Sequence, residues 1–253
     1  MKKLILPVLL VVFGCLFLHS CKDKSTFEDY QVSLGYEYFP LEVGKYRDYI
    51  VDSTTYDIGP NEVVIILNST TYVREAVVDT ITDNLDRLGY KIERSERSSL
   101  TDPWAVKDIW MMIRTEEQAE SLEENLRFVK MVFPLKEGLV WDGNRFIDET
   151  LNITIAGETV EIFKSWEYEV DFVAGPIAVD NELYDDAVQI TQADNENLIE
   201  RRFSREQYVK DIGLAYKEMK ILDTQCITGC EGQSWEEKAE KGFIVRQSLI
   251  DFN

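Results

Sequence analysis

Apolar and polar residues alternate along most of this chain beyond about residue 36. Trp166, Tyr168, Val170 and Phe172 fall on one face of such a stretch, with Glu167, Glu169 and Asp171 on the other. That is the pattern of a strand with one side in a core and the other in water. Comparable stretches rich in Val, Ile, Thr and aromatics, separated by turn signals, predict strands at 46–56, 62–67, 71–82, 88–97, 105–114, 126–133, 151–155, 159–164, 166–173, 187–193, 197–203, 213–222 and 243–252. Ala156-Gly157 predicts the turn of a hairpin over Leu151–Phe163. Two places read otherwise. Thr115-Glu116-Glu117-Gln118 matches a capping box, and the residues after it as far as Leu126 favour helix by propensity. Ser204-Arg205-Glu206-Gln207 similarly predicts the cap of one helical turn before Gly213. No repeat of fixed period is present. The pattern predicts an all-β fold, an antiparallel sandwich or curved barrel-like sheet with at most one or two short helices.

The first residues break this pattern. Met1-Lys2-Lys3 precedes an apolar run from Leu4 to Leu18, a charged region followed by a hydrophobic one as in a secretory signal. The run is shorter than the roughly 20 apolar residues of a spanning helix. It ends in Leu18-His19-Ser20-Cys21, which resembles the lipobox of bacterial lipoproteins, where a small residue precedes the cysteine that is lipidated and becomes the new N-terminus. Val12-Phe13-Gly14-Cys15 is a rival box, but cleavage there would leave Leu16-Phe17-Leu18 on the mature chain. The polar Lys22-Asp23-Lys24 favours Cys21. The expected organisation is a signal at 1–20, a lipidated Cys21 with a flexible tether over 21–35, and a single β-rich domain at 36–253.

Composition narrows the function classes. Removing the first 20 of 253 residues takes away two lysines and no acids, moving the net charge from −20 to −22. Such a surface repels phosphate backbones and anionic headgroups, so nucleic acid is not expected as a partner and membrane contact has to come from covalent lipid. His19, the one histidine of the chain, lies in the predicted signal. Its removal would exclude Ser-His-Asp and Cys-His catalysis and histidine-ligated metal sites.

Further segments carry a resemblance. Tyr38-Phe39-Pro40-Leu41-Glu42-Val43-Gly44-Lys45-Tyr46, Phe128-Val129-Lys130-Met131-Val132-Phe133-Pro134, Trp141-Asp142-Gly143-Asn144 and Gly213-Leu214-Ala215-Tyr216-Lys217-Glu218 resemble a group of uncharacterised Bacteroidota-type lipoproteins. The likeness extends over most of 36–253 and implies an envelope lipoprotein, with no activity attached. It also tilts 120–133 toward strand. Acidic residues soon after the lipidated cysteine often accompany surface display in such bacteria. Asp23 and the later Glu28-Asp29 therefore favour the outer membrane, with the cell surface ahead of the periplasmic leaflet. Residue by residue, Phe39-Pro40-Leu41 reads as extended backbone entering a strand, and Trp141-Asp142-Gly143-Asn144 as a turn anchored by a buried aromatic.

Candidate chemistry is sparse. Cys226 and Cys230 are expected to join as a disulfide in an oxidising compartment; a redox dithiol or half a metal site is the alternative. Asp180, Glu182, Asp185 and Asp194 sit in oxygen-rich runs that could ligate calcium, although neither run has EF-hand spacing. Paired carboxylates could hydrolyse glycosides without histidine. Asp52-Ser53-Thr54 and Asp79-Thr80-Ile81 look like short O-glycosylation motifs inside predicted strands. The five Trp, 12 Tyr and 12 Phe fit an aromatic-rich β core, a carbohydrate-stacking face or an apolar cavity in a barrel. No cofactor is expected. The sequence therefore points first to a non-enzymatic envelope lipoprotein that binds a protein or glycan partner. A β-barrel carrier of an apolar ligand comes second, and a carboxylate-dependent hydrolase third.

Overall fold

The alternating segments fold as strands that pair almost entirely with their neighbours in sequence. The computed structural model describes residues 33–155 and 158–253, and Ser33–Asn253 forms one unit. Its strands are β1 (Tyr46–Ile58), β2 (Val64–Thr82), β3 (Leu88–Arg97), β4 (Ala105–Arg114), β5 (Gln118–Glu123), β6 (Leu126–Val132), β7 (Val140–Trp141), β8 (Asn152–Ile155), β9 (Glu158–Glu161), β10 (Tyr168–Val179), β11 (Glu182–Glu196), β12 (Glu200–Val209), β13 (Gly213–Asp223) and β14 (Lys241–Phe252). One short helix, α1, spans Trp235–Lys238.

Twelve strands form one sheet in the order β6-β5-β4-β3-β2-β1-β14-β13-β12-β11-β10-β7, and β8 pairs with β9 apart from it. The sheet is thus two meanders joined where the first and last strands lie side by side, Tyr49 opposite Leu249. Register shifts at Asp48/Tyr49, Val77/Asp79, Arg94/Ser95, Ala119/Glu120 and Thr191/Ala193 interrupt the ladders. Each such bulge adds local twist and bend. The accumulated curvature brings the two edges together. Val129 on β6 donates its N–H to Gly143 O at 2.8 Å, and Trp141 Nε1 on β7 donates to Val129 O at 2.8 Å. The result is a nearly closed antiparallel barrel, as the alternation predicts. Gly143 is required at this seam, because a Cβ there would lie 2.5 Å from the Tyr168 ring.

The segment before β1 departs from expectation. Phe39-Pro40-Leu41 does not enter a strand; β1 begins only at Tyr46, after Gly44 at φ 98°. Instead a 3-10 turn at Tyr36–Tyr38 lays Tyr38, Phe39 and Leu41 across one end of the barrel as a plug. Arg114 Nη1 donates to Tyr36 O and Phe39 O at 3.0 and 2.9 Å, Tyr38 Oη to Asp186 Oδ1 at 2.5 Å, and Asp211 N to Glu37 O at 2.8 Å. Burial, reinforced by Asp186, raises the Tyr38 pKa, so the hydroxyl keeps its proton and remains a donor.

Both helix expectations are corrected. Residues 118–123 form β5. Thr115 Oγ1 does accept backbone N–H groups, from Glu117 at 3.2 Å and Gln118 at 3.1 Å, but this cap serves a tight turn. Thr115 N then donates to Gln118 O at 2.9 Å, and pairing with β4 and β6 outweighs a helix propensity of a few tenths of a kcal/mol per residue. Ser204–Gln207 lies within β12 between two partners. The capping box that does start a helix is Ser234 with Glu237, at α1. The predicted strands 62–67 and 71–82 are one strand, β2, and 166–173 shifts to 168–179. The hairpin over 151–163 forms as β8 and β9; its turn at 156–157 lies outside the described residues. No helix among the described residues is long and apolar enough to cross a membrane.

Candidate functional site

The barrel interior is not uniformly apolar. Lys130 is an anomaly in the apolar run of β6, and its side chain is 7 % exposed. Lysine is almost never buried without a partner, and here it has two. Its Nζ lies 3.0 Å from Glu206 Oε1 on β12 and 3.3 Å from Glu123 Oε1 on β5. Lys217 on β13 stands 3.6 Å from the same Glu206 oxygen. Tyr208 Oη completes the cluster, donating to Glu206 Oε2 at 2.5 Å. Chain segments 76 residues apart thus meet across the interior.

The electrostatics follow from this geometry. Burial alone would lower the Lys130 pKa, but the facing carboxylates of Glu123 and Glu206 outweigh it and hold the ammonium above its usual range. Burial would raise Glu123; Lys130 and Lys217 overcome that and bring it down to about 2. The same two lysines and the Tyr208 hydroxyl lower Glu206 against its burial. All three groups therefore stay charged at neutral pH. Glu75 on β2 behaves oppositely, because burial raises its pKa and Arg47 and Arg94 only partly offset it.

Two cavities flank the cluster. One of about 40 Å³ lies under the plug against Phe39, Arg47, Glu75, Ser121, Tyr208 and Gln247. At about 10–15 Å³ per water it suits about three or four waters. Gln247 Nε2, on a buried residue, has no protein partner there. The other, of about 190 Å³, runs from Lys130 and Lys217 toward the β5–β6 turn, where Glu124 is exposed. Its wall is aromatic: Phe128 meets Phe163 edge-on with centroids 5.7 Å apart, and Phe163 meets Trp166 at 5.3 Å. Trp166 Nε1 is satisfied by Ile162 O at 2.7 Å. Trp110 and Gln192 also line it, and their Nε1 and Nε2 atoms, themselves buried, have no protein partner.

The residues singled out from sequence are not brought together at this site. Cys21, the rival Cys15 and the 1–20 signal lie outside the described residues, as does the tether up to residue 32. Cys226 and Cys230 are joined as a disulfide with Cα atoms 6.2 Å apart, in the loop before α1. Asp180 occupies the β10–β11 turn at φ 51° with Glu182 and Asp185 just beyond it. Asp194 is nine residues further along β11 than Asp185, about 30 Å at strand rise, and pairs with Arg201 Nη2 at 2.6 Å. Among the described residues no group of three or more His, Cys, Asp or Glu is arranged to hold a metal. Some of the aromatics form the plug, the seam and the cavity wall, while others, such as Tyr49, Tyr56 and Trp235, belong to separate core clusters. The ionic cluster itself escapes sequence reasoning, although Lys130 amid Phe128-Val129 and Met131-Val132 was a signal of it.

Fold and site define a class: a nearly closed antiparallel β-barrel with an ion-paired waist and an aromatic cavity. No family model matches the chain, and no curated protein does. A solved structure from Bacteroides fragilis, a presumed exported protein with YmcC-like fold, aligns over 85% of this chain and 97% of its own, at 8% identity and a TM-score of 0.35.

Proposed function

We propose that the protein is a lipid-anchored envelope protein that binds a small amphipathic molecule inside its barrel and does not transform it. The aromatic cavity of about 190 Å³ carries this reading. A core that served only stability would fill such a space, since empty volume among packed side chains forfeits their contacts. Glu123 and Glu206, the central carboxylates, are bound to lysines and held ionised, so neither is available as a general acid. Glu75, whose pKa is raised, faces a cavity of about 40 Å³, well below the ~150 Å³ that admits a benzene ring. This weighs against glycoside hydrolysis and toward the carrier reading.

Anchoring rests on the sequence. The apolar run, the lipobox-like Leu18-His19-Ser20-Cys21 and the acidic residues that follow support a lipid on Cys21 and display on the outer membrane, the cell surface ahead of the periplasmic face. Export would also place Cys226 and Cys230 where their disulfide persists. The test is organic extraction of the protein purified from its envelope. A small molecule should leave the wild type and be missing from Phe163→Arg, whose longer side chain would occupy the cavity. Identical extracts, together with a reproducible crosslink from the outer face to one envelope protein, would replace this reading with partner binding.

A further inference from the structure

Long strands of the sheet outrun their neighbours in places, and the edge left open is elsewhere guarded. Beyond its short pairing with β7, β10 carries Gly175, Pro176 and three register shifts. Ahead of its pairing with β5, β4 carries Lys107 and Asp108. A missing N–H, a bulge and a charge each deter the addition of a further strand. β2 has none of these over Val64–Thr71. There β1, itself backed by β14, holds one side, while β3 ends opposite Tyr72 and, among the described residues, no strand takes the other side. Six residues in a row, Ile65–Thr70, are exposed, with Ile65, Ile66 and Leu67 at 39, 51 and 60 %. Val64 anchors the stretch by packing against Tyr56, Leu222, Trp235 and Ile244. No charge, proline or glycine lies between Glu62 and Arg74, in a chain of which 29 % is charged. Uncharged, β-branched segments of this kind pair readily with one another.

We infer that the protein forms a two-fold dimer in which Val64–Thr71 of β2 pairs antiparallel with the same segment of a second copy. The inference is independent of the cavity reading. An open edge specifies an extended chain as its occupant, because the outward N–H and C=O groups match the ladder of another strand. Charge then selects the chain. Two molecules of net charge −20 repel one another over most of their surfaces. Across this segment no like charges meet, and each copy offers the other an equally uncharged strand. A basic strand, the partner that an acidic protein otherwise attracts, would find no carboxylate between Glu62 and Arg74 to receive it. Antiparallel pairing of a segment with itself is also isologous, so the assembly closes at two copies and this edge is used up.

The experiment is sedimentation equilibrium on the full chain, purified from membranes into an uncharged detergent whose density the solvent matches. The wild type should show a reversible equilibrium between one and two copies, with no larger species. Leu67→Lys should raise the dissociation constant about a hundred-fold, since it sets like charges against each other across the two-fold. Leu67→Glu should do the same. Mixing the two variants should restore a dimer, because lysine then faces glutamate. Leu183→Lys, at a residue 70 % exposed beside the β10–β11 turn, should leave the equilibrium unchanged, which separates the edge from apolar surface in general. A wild type that stays monomeric overturns the inference without need of any variant. So does a dimer indifferent to Leu67→Lys, a mixture of the two variants that stays monomeric, or an assembly that grows past two copies.

Discussion

Replacing Lys130 with methionine should cost about 3–5 kcal/mol of stability at pH 7, the usual consequence of removing one member of a buried ion pair. Methionine approximates the stem, so the loss comes from the charge. Glu206, 1 % exposed, would keep Lys217 at 3.6 Å and the Tyr208 hydroxyl, while Glu123 would lose the partner at 3.3 Å. The Glu123 shift, which Lys130 shares with Lys217, has the same direction. The pH dependence follows from the same shift. Glu123 stays ionised in the folded protein down to about pH 2 but titrates near 4.5 when unfolded. Its contribution is therefore complete above about pH 5 and is lost as pH falls through the folded pKa. The variant lacks most of that contribution, so the gap between wild type and variant should narrow steadily from pH 5 to pH 2.5. Urea unfolding followed by tryptophan emission, at pH 7, 4 and 3, measures both effects. A cost below about 1 kcal/mol at pH 7, or a gap that stays constant or widens on acidification, would refute the assignment of Lys130 as the charge that holds these carboxylates.

Trp141→Phe removes the indole donor at the seam and leaves Val129 O without that bond; urea unfolding should show a loss of about 1–3 kcal/mol, and an unchanged midpoint would mean that the seam contributes nothing. Reducing the Cys226–Cys230 disulfide opens a five-residue loop, for which chain entropy predicts about 2 kcal/mol; calorimetry with and without reductant should show a lower Tm in the reduced protein. Cys21→Ser should abolish metabolic labelling by a fatty acid while Cys15→Ser should not, and label that persists in the Cys21 variant would displace the anchor.

Alternation with period two was enough to place most strands, because a barrel strand with one face inward has to repeat its apolar positions every second residue. Local pattern was weaker where a competing local preference existed. Thr115 presents the same hydroxyl cap to a helix and to a tight turn, and its own neighbourhood does not choose between them. The choice came from β4 and β6, whose backbone groups needed β5 between them. Phe39-Pro40-Leu41 was legible as extended and apolar. That it lies across the end of the barrel depends on Arg114, Asp186 and Asp211, which are far away in sequence.

The strand-forming alternation, the acidic composition, the histidine-poor chemistry and the nearness of Cys226 to Cys230 are legible in the chain, since each is a property of residue type or of short separation along it. That the sheet's edges meet at Val129, that Lys130 faces Glu206 and Glu123, and that Phe128, Phe163 and Trp166 wall a cavity emerge only in the folded barrel. The physical reason is that pairing order and accumulated curvature set which strands face one another across a barrel. A lysine in an apolar strand announces that it needs a partner, but the carboxylate that answers is chosen by the closure of the sheet.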